Sequence, residues 1–167
     1  EHELELRRLA ETGTGVILSI TPPSGEALTY TQVYEKAAPS IAALTAYSAG
    51  MVSTGTGIVL TADGYIVTNA HIIAGAEQVN VTLSDDSLWS AQLVGFEPLE
   101  DLAVLKIDAS GLTPAQFGDD TLLRSGDPVS AIGNPMGYRS TITPGIVSAL
   151  DQPVSVEGTT MYLLQTS

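Results

Sequence analysis

Two residues have types and positions suited to proton transfer, His71 and Asp101. His71 is one of only two histidines, and it interrupts the apolar run "IVTNAHII". Asp101 opens the apolar run "DLAVLKI" after a polar loop. An aspartate that accepts a hydrogen bond from the Nδ1–H of an imidazole fixes the tautomer of the ring and stabilises the imidazolium. The two residues therefore have the chemistry of a general base and its orienting acid.

Each residue also has a purely structural interpretation. "IVTNAHII" taken alone favours a core histidine whose ring bonds to a backbone carbonyl. Asp101 alone is compatible with a solvated acid at the start of a strand, and Asp85, Asp86 and Glu100 are alternative acids, although only Asp101 directly precedes the apolar strand. A zinc site is disfavoured, because one usable histidine and no cysteine do not supply a typical ligand set. At this point the catalytic and structural interpretations both stay open.

The segments around these residues are predicted β-strands. Six predicted strands lie between residues 41 and 108: "IAALTAYS", "TGTGIVL", "YIVTNAH", "QVNVTLS", "LWSAQLVGF" and "DLAVLKID". In "QVNVTLS", Val79, Val81 and Leu83 alternate with polar residues and should share one face. Two of these strands separate His71 from Asp101. A small barrel with that spacing brings the ends of two strands back together.

In the rest of the chain, turn residues likewise separate predicted strands. The connection "LTPAQFGDDTLLRSG" leads into three more predicted strands, "DPVSAIGNP", "STITPGIVSAL" and "MYLLQTS". Short strands separated by Gly, Pro and Asp predict an all-β sandwich or barrel. Asp63-Gly64 predicts a tight hairpin, because its glycine adopts positive φ without strain. Before the strands, Thr31 is predicted to cap a short helix that ends at Pro39.

Composition excludes several classes of protein. Hydrophobic residues make up 44% of the 167 residues and charged residues 15%, which indicates a globular chain. The net charge of -13 disfavours binding to nucleic acid or to anionic membranes. The absence of cysteine excludes a disulfide framework and a thiol nucleophile. "TGTG" at residues 54–57 lacks the spacing and the Gly-Lys-Ser/Thr of a phosphate-binding loop.

Several motifs in a fixed order make the catalytic interpretation specific. "TNAH", "DLAVLKI", "GNP" and "GIVSAL" occur in that order. Over about residues 38–167 the sequence resembles the HtrA (Deg) family of trypsin-like serine proteases. The resemblance implies that His71 is the general base and Asp101 its orienting acid, with no metal and no cofactor. It also implies an all-β, chymotrypsin-like double β-barrel.

One part of the family pattern has no counterpart in the 167 residues. The family's nucleophile lies in a Gly-Asn-Ser-Gly-Gly stretch, and no such stretch is present. Ser167 follows "LLQT" and lacks the flanking glycines. We therefore expect no nucleophile in this chain, a complete first barrel and a truncated second barrel. A chain without nucleophile and oxyanion donors should be inert as a protease, since losing the nucleophile alone costs roughly 10⁶ in turnover.

The resulting division of the chain has three parts. Residues 1–37 are predicted to be an N-terminal extension with a short helix, residues 38–112 the first barrel, and residues 113–167 the crossover and first strands of the second barrel. The resemblance implies polypeptide substrates and an extracytoplasmic location, in which a membrane anchor upstream of residue 1 is one option. It also implies a homotrimer and a PDZ domain outside these residues. Two other hypotheses are a catalytically inactive binding module on the protease fold and a β-sandwich adhesion domain.

Overall fold

The computed structural model describes residues 18–23, 25–134, 140–156 and 159–167. The described part is dominated by nine β-strands: β1 (Ile41–Ser48), β2 (Met51–Val59), β3 (Tyr65–Thr68), β4 (Gln78–Thr82), β5 (Leu88–Glu97), β6 (Leu102–Lys106), β7 (Pro128–Gly133), β8 (Thr141–Val156) and β9 (Thr159–Thr166). Two α-helices, α1 (Tyr30–Ala37) and α2 (Ala70–Ile73), and two 3₁₀ helices, Ala38–Ser40 and Asp120–Leu122, complete the described elements. No helix in the described ranges is long and apolar enough to cross a membrane.

The first six strands form a closed antiparallel barrel in the order β1-β2-β3-β6-β5-β4. Pairing of β1 with β4 closes it, with Leu44 opposite Val81. Because alternate residues of each strand point inward, the barrel collects one apolar face from every strand. The prediction that Val79, Val81 and Leu83 share one face is confirmed, and that face is buried, since their exposed fractions are 0, 0 and 9%.

The barrel core is continuous and apolar. Its largest fully buried side chains include Leu44, Ile66, Leu93, Leu105 and Ile107. They come from four strands and from the residue that follows β6. Burying an aliphatic side chain of this size contributes roughly 1.5–3 kcal/mol relative to leaving it exposed. Packing of this core therefore holds the end of β3 and the start of β6 in position.

The hairpin between β2 and β3 uses glycine as its sequence predicts. Gly64 has φ 101°, and a Cβ at this position would overlap the carbonyl of Ile107. The Gly64 carbonyl accepts a hydrogen bond of 3.0 Å from the Ile107 backbone N–H. Lys106 reinforces the contact, because its Nζ donates to the carbonyls of Asp63 and Ile107 at 2.6 and 2.7 Å. The hairpin is thereby fastened to the end of β6.

The last three strands form a separate antiparallel sheet in the order β7-β8-β9. β8 is longer than its predicted segment, and its pairing with β9 shifts register twice, between Val147 and Ala149 and between Ala149 and Gln152. Val147 is fully buried in this sheet. Together with the closed barrel, the sheet confirms the all-β architecture that the resemblance implies. Residues 135–139, which include the last three residues of the segment "GNPMG" (133–137), lie outside the described residues.

The N-terminal extension contacts the second sheet and the connection that precedes it. The Tyr34 hydroxyl on α1 donates to the Ser140 carbonyl at 3.0 Å, and Thr21 N–H donates to the Phe117 carbonyl at 2.7 Å. The predicted cap at Thr31 is wrong. Thr29 caps α1 through a capping box. The Thr29 side chain accepts the Gln32 backbone N–H, and the Gln32 side chain accepts the Thr29 backbone N–H. Residues 1–17 lie outside the described residues.

Candidate active site

His71 lies in a short helical turn, not in a strand. The predicted strand "YIVTNAH" is wrong at its end, since β3 stops at Thr68 and His71 belongs to α2. Ala70 and Ile73 on this turn are buried in the barrel core. Residues adjacent on a helix point in different directions, so burial of these two leaves the His71 side chain outside, where 66% of it is exposed.

Asp101 lies in the turn that leads into β6. Its backbone N–H donates to the Pro98 carbonyl at 3.2 Å, which closes the turn one residue before the strand begins at Leu102. The residue has φ 52°, in the left-handed region. Aspartate tolerates this conformation better than most residues that carry a Cβ. Asp101 directly precedes the strand, as expected, although the predicted segment "DLAVLKID" began one residue too early.

The pairing of β3 with β6 brings the two residues together. Thr68 lies opposite Ala103 in this antiparallel ladder. The next hydrogen bond beyond the paired residues runs from Ala70 N–H to the Asp101 carbonyl at 3.1 Å. The loop after one strand therefore meets the loop before the other. Two strands, β4 and β5, lie between them in the chain, as the spacing predicts.

The side chains of His71 and Asp101 are hydrogen-bonded. Nδ1 of His71 lies 2.7 Å from Oδ2 of Asp101, and the His71 backbone N–H donates to Oδ1 at 2.9 Å. An ionised carboxylate only accepts hydrogen bonds, so this contact places the proton of a neutral ring on Nδ1. The lone pair of the other ring nitrogen, Nε2, is then free to accept a proton. The pairing leaves the ring in the tautomer that a general base needs.

Asn69 is a third member of the site, and it has no role in the sequence-based interpretation. Its Nδ2 lies 3.1 Å from Oδ2 of Asp101 and 3.2 Å from the Asp101 main-chain carbonyl. The residue is visible in "TNAH" next to the histidine. Nothing in the sequence tells which backbone or side-chain groups its amide meets, because both acceptors lie 32 residues away.

The pKa of Asp101 is lowered from its ordinary value of 3.8. Burial is the largest single influence on this pKa and raises it. The hydrogen bonds and charge of His71, together with the hydrogen bond from Asn69, act in the opposite direction and outweigh burial. The donors around the carboxylate therefore keep it ionised, which is the state that holds the imidazole.

Partly buried hydrogen bonds connect this site to the second sheet. Thr68 Oγ1 donates to the Thr56 carbonyl at 2.9 Å, and the backbone N–H of Asn134 donates to Thr56 Oγ1 at 2.9 Å. Asn134 follows β7 and is 9% exposed. Thr56 of β2 thus joins the end of β3 to the end of β7. This connection holds the histidine loop and the start of the "GNPMG" segment close to one another.

Two of the other candidate acids, Asp85 and Asp86, do not join the site. Asp85 and Asp86 form the turn between β4 and β5, where Oδ1 of Asp85 accepts the Ser87 backbone N–H at 3.0 Å. The hydrogen bond from the Ser87 side chain, followed by this backbone bond, lowers the pKa of Asp85, which is exposed. Oγ of Ser167 accepts the backbone N–H of Ile146 at 3.3 Å. Within the described ranges, no three residues that bind metals in proteins cluster together.

Comparisons with known proteins agree with this fold. The family described as trypsin-like peptidase domain matches residues 55–167. A relative named putative serine protease HhoB, from Synechocystis sp., is 41% identical over 105 residues, which is 63% of this chain and 25% of the relative. A relative named probable periplasmic serine endoprotease DegP-like, from Chlamydia trachomatis serovar D, is 45% identical over 95 residues, which is 57% of this chain and 19% of the relative.

Solved structures give the same result. The structure titled HtrA-type protease AlgW with tripeptide has a TM-score of 0.77 at 39% identity, covering 83% of this chain and 46% of that one. A serine endoprotease from Yersinia pestis has a TM-score of 0.68 at 38% identity, covering 75% of this chain and 46% of that one. The closed barrel, the second sheet and the His71–Asp101 pair define the class of this chain as trypsin-like.

The chain belongs to the trypsin-like peptidase domain family. The relatives and solved structures described above, to which it is similar, are named as serine proteases or endoproteases, among them DegP-like and HtrA-type proteins. The chain spans a quarter or less of the length of these two curated relatives and under half of the length of these two structures.

Proposed function

We propose that the protein containing these residues is a serine endopeptidase of the HtrA type, which cleaves peptide bonds in unfolded or damaged proteins. The observation that carries the proposal is the hydrogen bond of 2.7 Å between His71 Nδ1 and Asp101 Oδ2. The geometry leaves Nε2 of the ring available at an exposed edge of the barrel. Polypeptides are the substrates of proteases of this family, so we assign the exposed histidine to proton transfer in peptide-bond hydrolysis.

In the proposed reaction, His71 is the general base and Asp101 its orienting acid. His71 Nε2 removes the proton of a serine hydroxyl as the serine oxygen attacks the peptide carbonyl. His71 then returns this proton to the leaving amine, which gives an acyl-enzyme. Water hydrolyses the acyl-enzyme by the same proton transfers. Throughout, the Asp101 carboxylate keeps the ring oriented and stabilises the imidazolium. The reaction requires no cofactor.

The nucleophile needs a separate assignment, because the chain spans only part of the length of the relatives it matches. No serine in the 167 residues lies in a Gly-x-Ser sequence. We therefore assign the attacking serine and the oxyanion donors to residues outside this chain. These 167 residues alone should not react with a fluorophosphonate, because the probe forms its covalent bond with the oxygen of an activated serine.

Location, domains and assembly are part of the same proposal. Several curated relatives are named periplasmic endoproteases, so we propose an extracytoplasmic location, with a membrane anchor before residue 1 as one arrangement. We also propose a homotrimer built through the N-terminal extension, and a PDZ domain outside this chain. We take residues 1–37, 38–112 and 113–167 as the extension, the first barrel and the start of the second. Mass photometry of the full-length protein tests the assembly, with three copies as the expected result.

The decisive experiment uses the full-length protein from its native gene. Its reaction with a fluorophosphonate probe and its hydrolysis of fluorescein-labelled casein are measured beside those of His71→Ala. We expect wild type to react in both assays. His71→Ala should lose roughly 10⁶ in turnover, the loss known for a base in a triad acting as a unit, while its circular dichroism stays unchanged.

The control is the other histidine, His2, replaced by alanine, which should keep full activity. A full-length protein that neither labels nor cleaves casein would support the alternative, a catalytically inactive binding module on the protease fold. A His71→Ala variant that unfolds but keeps its activity per folded molecule would show that His71 is structural and not the base.

A further inference from the structure

We propose that Asn69 is a positioning residue for the peptidase reaction, because its side-chain amide holds the carboxylate and the main-chain carbonyl of Asp101 together. The inference rests on the proposed function and deepens it. Asn69 touches no reacting atom in this scheme. It acts on His71 through Asp101, by fixing the oxygen to which the imidazole is bonded.

The amide of Asn69 meets two acceptors with its two donors. Nδ2 lies 3.1 Å from Oδ2 and 3.2 Å from the main-chain oxygen of Asp101. Both neighbours are oxygens without hydrogens, so the nitrogen end of the amide faces them. Oδ2 is also the atom that lies 2.7 Å from His71 Nδ1. Asn69 therefore holds the same oxygen as the ring does, from a second direction.

Asp101 is a residue that needs such a restraint. It lies in a turn with φ 52°, and 31% of its side chain is exposed. The last torsion of an aspartate is broad, so a carboxylate held by one bond rotates easily. The His71 backbone N–H holds Oδ1, and Asn69 holds Oδ2. These two contacts keep the carboxylate plane fixed while the imidazole gains and loses its second proton.

Helix capping is the other role that an asparagine at this position could have. Asn69 is the N-cap residue of α2, but its side chain makes no capping hydrogen bond. Asparagine and aspartate are about equally good N-caps, whereas alanine is a poor one. Aspartate is isosteric with asparagine but offers Asp101 no donor when ionised, and it adds a like charge beside it. Substitution by aspartate thus separates the two roles.

The test measures kcat and KM of the full-length protein on fluorescein-labelled casein for wild type, Asn69→Ala and Asn69→Asp. We expect kcat to fall about tenfold for Asn69→Ala, the loss of a hydrogen bond to a charged group. We expect a fall of about a hundredfold for Asn69→Asp, since a displaced base loses rate on that scale. KM should stay within about twofold in both variants, because Asn69 does not contact substrate in this scheme.

The matched control is Asn80→Asp. Asn80 lies on β4, and its Oδ1 accepts a hydrogen bond from Gln78 Nε2 at 3.0 Å, which an aspartate preserves. The variant adds the same charge away from Asp101, and its kcat should equal that of wild type. Thermal unfolding of all variants is followed in parallel. A loss of kcat in Asn69→Asp at an unchanged melting temperature supports positioning.

Two outcomes overturn the inference. If Asn69→Asp matches wild type while Asn69→Ala loses both stability and rate, Asn69 is a helix cap. If both variants match wild type in kcat, the amide has no part in the reaction. Either result leaves the proposed function intact as long as His71→Ala is inactive. An active His71→Ala would instead refute the proposed function itself.

Discussion

The closed barrel of β1–β6 and the sheet of β7–β9 contain similar apolar strands but bury them to different extents. Leu93 and Leu105 of the barrel are fully buried. In the sheet, Ile146, Tyr162 and Leu164 are 46, 71 and 45% exposed. A closed barrel has a single interior toward which alternate residues point, whereas three strands in a row have two open faces. Closure of the sheet, more than strand composition, decides which residues become core.

The same comparison applies to two aspartates with nearly the same backbone conformation. Asp101, beside the barrel, has φ 52°, and Asp151, in β8, has φ 50°. Asp101 is held by donors from the loop after β3. Asp151 lies where the pairing of β8 with β9 shifts register. A left-handed aspartate is therefore not a sign of a catalytic site by itself, and the donors around it decide what it does.

The largest expected difference between the two regions is in catalysis. In the full-length protein, Asp101→Asn should lower kcat about 10⁴-fold, because an amide stabilises the wrong imidazole tautomer. Asparagine tolerates positive φ as well as aspartate does, so the fold should be kept. Asp151→Asn, the matched change in the sheet, should leave kcat on labelled casein unchanged. Equal losses in the two variants would show that the comparison is wrong.

The second difference is in core stability. Leu105→Ala in the barrel should lower the free energy of unfolding by about 2–5 kcal/mol through the cavity it leaves. Measured in the same 167-residue chain, Leu164→Ala in the sheet should cost about 1 kcal/mol or less, because the side chain is 45% exposed there. Urea unfolding followed by the fluorescence of Trp89, the single tryptophan, measures both. Trp89 packs against the barrel core and reports on it directly. A larger effect from Leu164 would place the main core in the sheet.

The third prediction compares two glycines with positive φ. Gly64 in the barrel hairpin has φ 101°, and Gly126 before β7 has φ 94°. Alanine at either position costs about 1 kcal/mol in the left-handed region. At Gly64 a Cβ also overlaps the Ile107 carbonyl, whereas nothing lies within 4 Å at Gly126. Gly64→Ala should therefore cost about 1–3 kcal/mol more than Gly126→Ala in urea unfolding. Equal costs would mean that the hairpin shifts freely.

The smallest expected effect is on acid stability. Because the pKa of Asp101 is lowered in the folded state, the unfolded state binds more protons between the two pKa values, and stability rises with pH there. The contribution of Asp101 is fully present above its ordinary pKa of 3.8 and is lost as the pH falls through the folded value. Between pH 5 and pH 3, the urea midpoint should therefore fall further in wild type than in Asp101→Asn. Parallel falls would show that the carboxylate is not stabilised.

Strand positions were largely predictable because the apolar periodicity is strong and turn residues bound each segment. "IAALTAYS" coincides with β1, and Asp63-Gly64 lies in the loop between β2 and β3. The end of "YIVTNAH" was not predictable, because a run of apolar residues fits a strand or a buried helical turn equally well. The cap at Thr29 instead of Thr31 was missed for a similar reason. Both threonines are acceptable caps, and the reciprocal bond with Gln32 decides between them.

The sequence by itself determined the strand-rich fold, the family and the two residues whose chemistry suits proton transfer, His71 and Asp101. These follow from residue types and local patterns, which the chain carries wherever it folds. Only the tertiary structure decided that the two side chains are hydrogen-bonded, that His71 lies on a helical turn, and that Asn69 holds the same carboxylate. Those contacts depend on the register of β3 with β6, which is fixed by packing of the whole barrel and not by any short stretch of sequence.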